Sequence, residues 1–233
     1  MIKDDCFEAF IFARGGSKGV KDKNIKILNN KPLISYSIEQ ALKSTFISKV
    51  TVSTDSEKIS SISKEFGAEV IMREKNLATD TSPELDSWKS IILKKLDCFQ
   101  KTKKPFISLP ATSPLRKMHS VFKGIQKFVN SDYDIITSIV KSKKNPFSTQ
   151  VIIAPDDTIS SVFKGKKYVR RQDFPNVYDI AGSFYITNTN YILNCNNIYD
   201  GKVGYIEIKE KENLDIDTEF DFHIAKYLLK NPL

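Results

Sequence analysis

Apolar positions along the 233-residue chain alternate between two spacings. An apolar run over residues 7–13, interrupted only by Glu8, stops abruptly at Arg14 and gives way to Gly15-Gly-Ser-Lys-Gly, the pattern of a buried strand delivering a loop at its carboxyl end. The spacing then lengthens, with Leu33, Tyr36, Ile38, Ala41 and Leu42 recurring at a helical period behind Pro32, a residue suited to a helix start. A second unit follows: a β-branched strand over 50–55, an amphipathic helix over 56–66 stopped by Gly67, and a strand over 69–72. From Ser82, Leu85, Trp88, Ile91, Ile92 and Leu96 define one helical face, before a buried strand over 106–109. A helix over 120–129 and a β-branched strand over 134–140 complete the alternation. Strands and helices in turn predict an α/β fold, a three-layer α/β/α arrangement around a mostly parallel sheet.

Past residue 140 the pattern shortens. Strand-like pieces at 149–154, 158–163 and 167–170, separated by Pro-Asp-Asp and Gly-Lys turns, predict a small antiparallel lobe over about 141–180. Segments 183–187 and 203–208 return to the main sheet, and a helix over 218–229 opens on acidic residues. With no internal repeat or low-complexity stretch, residues 1–233 read as a single domain carrying one inserted lobe.

Composition narrows the class without naming an activity. Hydrophobic residues make up 40% and charged residues 27%, values of an ordinary globular protein. The net charge of +8 raises nucleic-acid binding as a reading, but the lysines are dispersed and lack aromatic interleaving or a recognition element, so no nucleic-acid partner is expected. Cys6, Cys98 and Cys195 have no metal-ligand spacing and fit reduced thiols. No signal layout and no apolar run near the ~20 residues of a membrane span are found, so a cytoplasmic protein without membrane attachment is expected.

Two stretches carry candidate chemistry. Gly15, Gly16 and Ser17, with Arg14, Lys18, Lys21 and Lys23 around them, match neither a P-loop nor a dinucleotide fingerprint. Their glycines nevertheless allow close backbone approach, and four cations against Asp22 after the first strand suit a triphosphate. The second stretch is Asp215-Ile-Asp-Thr-Glu-Phe-Asp. In an extended segment Asp215 and Asp217 point the same way and can grip one hard cation while Ile216 faces the core. The competing reading makes Asp217 a helix cap and leaves its neighbours in solvent.

Taken together, Ala13-Arg-Gly-Gly-Ser-Lys-Gly-Val-x-x-Lys-Asn, Ser53-Thr-Asp, Arg73-x-x-x-Leu-Ala-x-Asp, Thr112-Ser-Pro-Leu-Arg, Arg171-Gln-Asp-Phe-Pro and Asp215-Ile-Asp-Thr resemble the acylneuraminate cytidylyltransferases, the CMP-sialic acid synthetases. The resemblance runs nearly end to end. It implies a nucleotidyltransferase fold with a protruding dimerisation lobe, a homodimer, and transfer of CMP from CTP to a nonulosonic acid with release of pyrophosphate. By the same resemblance Arg14, Lys18 and Lys23 contact the triphosphate with Asn24 beside them, and Arg73, Asp80 and Ser82 hold the nucleotide. Asp215 and Asp217 would carry Mg²⁺ (or Mn²⁺), and Arg171 with Gln172 would meet the sugar, the planar guanidinium suiting its carboxylate.

The chain departs from the pattern in three places. Pro110 stands where many relatives have glutamine, Ala181-Gly-Ser replaces Asn-Gly-Ala, and Lys21 replaces proline. The first two remove polar side chains near the sugar and leave its identity open between N-acetylneuraminic acid and another nonulosonic acid. CMP-Kdo synthetase is the nearest enzymatic alternative, and the Gly15-Gly-Ser-Lys form favours the sialate group. His119 and His223 fall on predicted helices without partners and are read as non-catalytic, and Trp88 as core.

Overall fold

A computed structural model provides the architecture and describes residues 7–17, 19–74, 83–102, 104–163, 170 and 173–231. Strand β1 (Phe7–Phe12) opens the chain and is followed, after its loop, by a short hairpin of β2 (Ile27–Leu28) and β3 (Lys31–Pro32). Helix α1 (Leu33–Leu42) leads to β4 (Ile47–Thr54), and α2 (Glu57–Glu65) to β5 (Glu69–Met72). Ser56 starts α2 by accepting the Ile59 N–H, and Gly67, at φ +87°, ends it in the left-handed conformation that glycine adopts most readily.

The single helix expected before the next strand is two: α3 (Glu84–Lys94) and α4 (Leu96–Thr102). They divide at Lys95, whose ammonium turns inward to the Glu8 carboxylate of β1. Then come β6 (Phe106–Ser108), α5 (Met118–Val129) and β7 (Ile135–Lys141). Beyond β7 a separate antiparallel pair, β8 (Val151–Ile153) and β9 (Ile159–Ser161), stands off the main sheet. The chain returns through β10 (Tyr178–Thr187), α6 (Thr189–Asn194), β11 (Val203–Glu207) and α7 (Glu219–Lys230).

The main sheet has the order β11-β7-β10-β6-β1-β4-β5 and is parallel except for β10, which runs antiparallel to both β6 and β7. Strand β10 begins five residues before the expected return, because its first part pairs with the end of β7, Tyr178 opposite Lys141, before an irregularity at residues 180–185 where Gly182 takes φ +59°. Neither the β2–β3 hairpin nor α6 is apparent in the sequence pattern; both are too short to show a period. Of the expected strand piece 167–170, only Arg170 is within the described residues.

Alternation along β1 sends Ala9 and Ile11 to one face, against Ile34 and Ile38 of α1 and Val121 and Ile125 of α5. Phe10 faces the other layer, with Trp88 of α3, Phe99 of α4, Phe106 and Tyr185. The Phe10 and Phe106 rings stack at 4.9 Å. Helix α7 closes a third cluster over Leu28, Leu33, Tyr36 and Ile216. Strands β4 and β5 lie on one side of β1 and β6 on the other, so the strand order reverses at β1. Ligands of such sheets sit outside the carboxyl ends of the strands at that reversal. Among the described residues no helix is long and apolar enough to cross a membrane.

Candidate active site

The Gly-rich loop leaves β1 at that reversal and is held in shape by two side chains. Gly15 N–H donates to Asp55 Oδ1 at 2.9 Å, and buried Asn24 donates from Nδ2 to the Arg14 carbonyl at 3.1 Å. Asn24 therefore braces the loop from below. Gly16, exposed at φ +66°, makes the bend, with half-exposed Ser17 next to it.

The loop is fastened to the far end of the chain. Lys23 Nζ donates to the Ile216 carbonyl at 2.6 Å and to Asp217 Oδ1 at 3.1 Å, contacts spanning 193 and 194 residues. The lysine side chain is 14% exposed and the aspartate 72%, so the pair stands at the lip of the cleft. Gly19 packs so closely that a Cβ there would lie 2.4 Å from the Asp217 carbonyl oxygen.

Residues 215–217 alternate exposed, buried and exposed, the alternation an extended segment gives. Ile216 is fully buried and its N–H donates to the Thr112 carbonyl at 3.0 Å, and the Thr112 side chain hydrogen-bonds Asp215. Asp217 does not cap α7. Thr218 does, in a reciprocal pairing in which Asp221 accepts the Thr218 N–H at 2.8 Å and its own N–H donates to Thr218 Oγ1. Asp217 is left with its carboxylate to the cleft. Protein mass around Asp215 raises its carboxyl above the usual range; Thr112 opposes that rise and the Asp217 charge adds to it. Two like charges held this close, with hard oxygen donors, are the environment a cation relieves.

Across the cleft, Arg73 follows β5. Its backbone N–H donates to the Thr54 carbonyl at 2.7 Å, its Nη1 donates to Ser87 Oγ at 2.8 Å, and its Nη2 lies 4.0 Å from Asp55. The side chain is 7% exposed, and its buried Nε has no hydrogen-bond partner among the described residues. Burial lowers the guanidinium pKa, and Asp55 works against that shift. Asp55 thus joins the loop to Arg73, a role the Ser53-Thr-Asp stretch signalled without assigning.

Two further groups escaped the sequence reading. Glu84 accepts from Trp88 Nε1 at 3.2 Å. Solvent reaches Glu84, yet the surrounding protein raises its carboxyl, opposed by the Trp88 hydrogen bond and aided by the Asp215 charge. Tyr185 on β10 hydrogen-bonds Tyr199, and burial raises its phenol strongly. Below the cleft Arg116, 2% exposed, donates to the carbonyls of Ser183 and Pro110 and, at 3.3 Å, to Ser37 Oγ. Burial pushes its guanidinium down to about 9, partly offset by Asp215. Arg14, Gly15, Lys23, Arg73, Asp215 and Asp217 therefore ring one cleft, while Lys18, Asp80, Ser82, Arg171 and Gln172 lie outside the described residues.

A loop carrying Arg14, Lys21 and Lys23, tied by Lys23 to the Asp215–Asp217 segment at the reversal of an α/β sheet, is where such sheets place a ligand. A model of the family described as cytidylyltransferase matches residues 9–231. The chain is 34% identical over 220 residues to CMP-N,N'-diacetyllegionaminic acid synthase of Campylobacter jejuni, covering 94% of this chain and 93% of that one. It is 33% identical over 221 residues to post-translational flagellin modification protein B of Campylobacter coli, with 94% and 93% covered. N-acylneuraminate cytidylyltransferase of Streptococcus agalactiae serotype V is 32% identical over 219 residues, 93% of this chain but 52% of that longer protein. A solved structure of CMP:2-keto-3-deoxy-manno-octonic acid synthetase complexed with CTP superposes with TM-score 0.70 at 16% identity, covering 97% and 98%, which speaks to the fold alone.

The chain belongs to the cytidylyltransferase family. It is a nucleotidyltransferase similar in sequence to the N-acylneuraminate cytidylyltransferases and to a CMP-N,N'-diacetyllegionaminic acid synthase.

Proposed function

We propose that the protein transfers CMP from CTP to the anomeric hydroxyl of a nonulosonic acid, of sialic or legionaminic type, and releases pyrophosphate. The observation that carries this reading is the Lys23 bridge, which joins the triphosphate-sized loop to the Asp215–Asp217 segment in one cleft. Arg14 and Lys23 supply fixed positive charge where the β- and γ-phosphates lie, so little reorganisation is needed as charge moves to the leaving pyrophosphate. Arg73, with Asp55 and Ser87 fixing its orientation, adds a buried positive charge beside the loop on the nucleotide side.

Asp215 and Asp217 suit Mg²⁺ (or Mn²⁺) in donor chemistry. Among the described residues no cluster of three or more His, Cys, Asp or Glu forms a closed metal cage, and two carboxylates with substrate phosphates are the usual way Mg²⁺ is held in nucleotide sites. When bound, the ion polarises the α-phosphate and offsets charge on the leaving group. Lys23 meanwhile orients the Asp217 carboxylate, and Thr112 orients that of Asp215. Arg171 and Gln172 are the proposed contacts to the sugar, with Lys18, Asp80 and Ser82 completing the nucleotide grip. The lobe's exposed apolar hairpin supports a homodimer, and the dispersed lysines argue against nucleic acid as partner. The enzyme works in the cytoplasm, where CTP is made.

The test is pyrophosphate release with Mg²⁺, each of the four NTPs, and N-acetylneuraminic acid, N,N'-diacetyllegionaminic acid or Kdo. Release is expected with CTP and one of the first two acids. Silence with CTP and every acid removes the proposal, and release with Kdo alone replaces it with the Kdo reading.

A further inference from the structure

A cavity of about 340 Å³ opens between α1, the turn at 114–117 and the last turns of α7. None of Arg14, Lys23, Arg73, Asp215 or Asp217 lines it. Along α7, Leu229 is ten residues beyond Glu219, about 15 Å at the helical rise, so the cavity and the catalytic cleft occupy opposite ends of that helix. Its volume is at the lower end of small-molecule pockets, which run about 300–1,000 Å³.

The lining is of two kinds. Tyr36, Pro114, Leu115, Leu228 and Leu229 give apolar walls. Lys31, Lys43, Lys117 and Lys211 stand around them, and Glu39 is the only carboxylate among the lining residues, leaving an excess of three positive charges before the buried Arg116 is counted. Glu39 is already engaged twice, by Lys31 and Lys43 at 2.9 Å each. Lys117 is exposed and makes no ion pair or hydrogen bond through its side chain among the described residues. One feature asks for more than an anion. Gln40 donates from Nε2 to the Pro114 carbonyl at 2.6 Å, while its Oε1 is buried with no donor among the described residues. Buried acceptors are nearly always satisfied, and Gln40 is one of the residues lining the cavity.

We infer that this cavity is a binding site for a small amphipathic anion: an apolar or aromatic body carrying a carboxylate, phosphate or sulfonate, with an N–H or O–H to satisfy Gln40. The apolar walls take the body, the lysine rim takes the charge, and the orphan amide oxygen fixes the orientation. Nothing in the cytidylyl-transfer reaction requires such a site, and it stands or falls independently of the acceptor sugar.

The probe for the test is 8-anilino-1-naphthalenesulfonate, which has two aromatic bodies, one N–H and one sulfonate. Titrated into the intact protein and followed by fluorescence, it should fill one saturable site per chain and keep its affinity in saturating CTP. Lys117→Glu should weaken it about tenfold by reversing one rim charge. Lys43→Glu is the second variant, and since both lysines are exposed, circular dichroism should report an unchanged fold. Weakening in either variant supports the site. No saturable binding, displacement by CTP, or an unchanged Kd in both variants overturns it.

Discussion

A methyl group at Gly19 would stand 2.4 Å from the Asp217 carbonyl oxygen, a separation that backbone atoms cannot accommodate without moving. Gly19→Ala should therefore push the loop off residues 215–217 and lower kcat/KM for CTP at least about a hundredfold, at a stability cost of about 1–3 kcal/mol. Pyrophosphate release and thermal unfolding measured on the same sample separate the two effects; full activity would show that the loop does not need this contact. Asp217→Asn tests the opposite side of the junction. Because Asp217 is exposed and Thr218 already caps α7, the variant should keep its melting temperature within about 2 °C while turnover disappears. The alternation around buried Ile216 was legible in sequence, because two carboxylates flank one apolar residue. Asp55 follows β4, Glu84 opens α3 and Tyr185 lies on β10, and only the folded sheet brings these separate stretches near one another.

At the scale of elements, α1 offers a measurable pH dependence. Burial alone would raise Glu39, but the hydrogen bonds from Lys31 and Lys43 outweigh it and hold the carboxyl below the usual range. A lowered folded-state value means stability that is present above the unfolded carboxylate range and lost as pH falls through the folded one. Wild type should thus exceed Glu39→Gln by about 0.5–1 kcal/mol, or about 1–4 °C, at neutral pH, and the gap should close on acidification below about pH 4. A gap that widens toward acid would contradict the pairing. Most element boundaries were readable because period and punctuation agree: Ser56 and Gly67 bracket α2, and Pro32 precedes α1. The division of α3 from α4 was not readable. Leu96 keeps the apolar phase across it, and the division coincides with a tertiary contact, Lys95 to Glu8, that no local pattern encodes.

For the whole molecule, the lobe between β7 and β10 is the part least explained by the chain alone. Ile153 is 72% exposed and Ile159 69%, neighbours across one hairpin with no buried core beneath them among the described residues. Side chains of this size in such an arrangement call for a covering surface, which a second copy supplies in the proposed dimer. Ile153→Glu with Ile159→Glu should shift the sedimenting mass to the 26.5 kDa of one chain; an unchanged dimer would move the interface elsewhere. The α/β class and the order of the units were visible in the alternation of periods. The antiparallel insertion of β10 between β6 and β7 was not, because strand order is decided by crossovers and not by residue spacing.

The bridge from Lys23 to residues 216 and 217 also has a meaning in time. It joins residues 193 and 194 positions apart, so it can form only after nearly the whole chain has been synthesised. Helix α7 follows directly and packs over Leu33 and Tyr36. The junction between the loop and the Asp215–Asp217 segment is thus among the last long-range contacts that the growing chain can make.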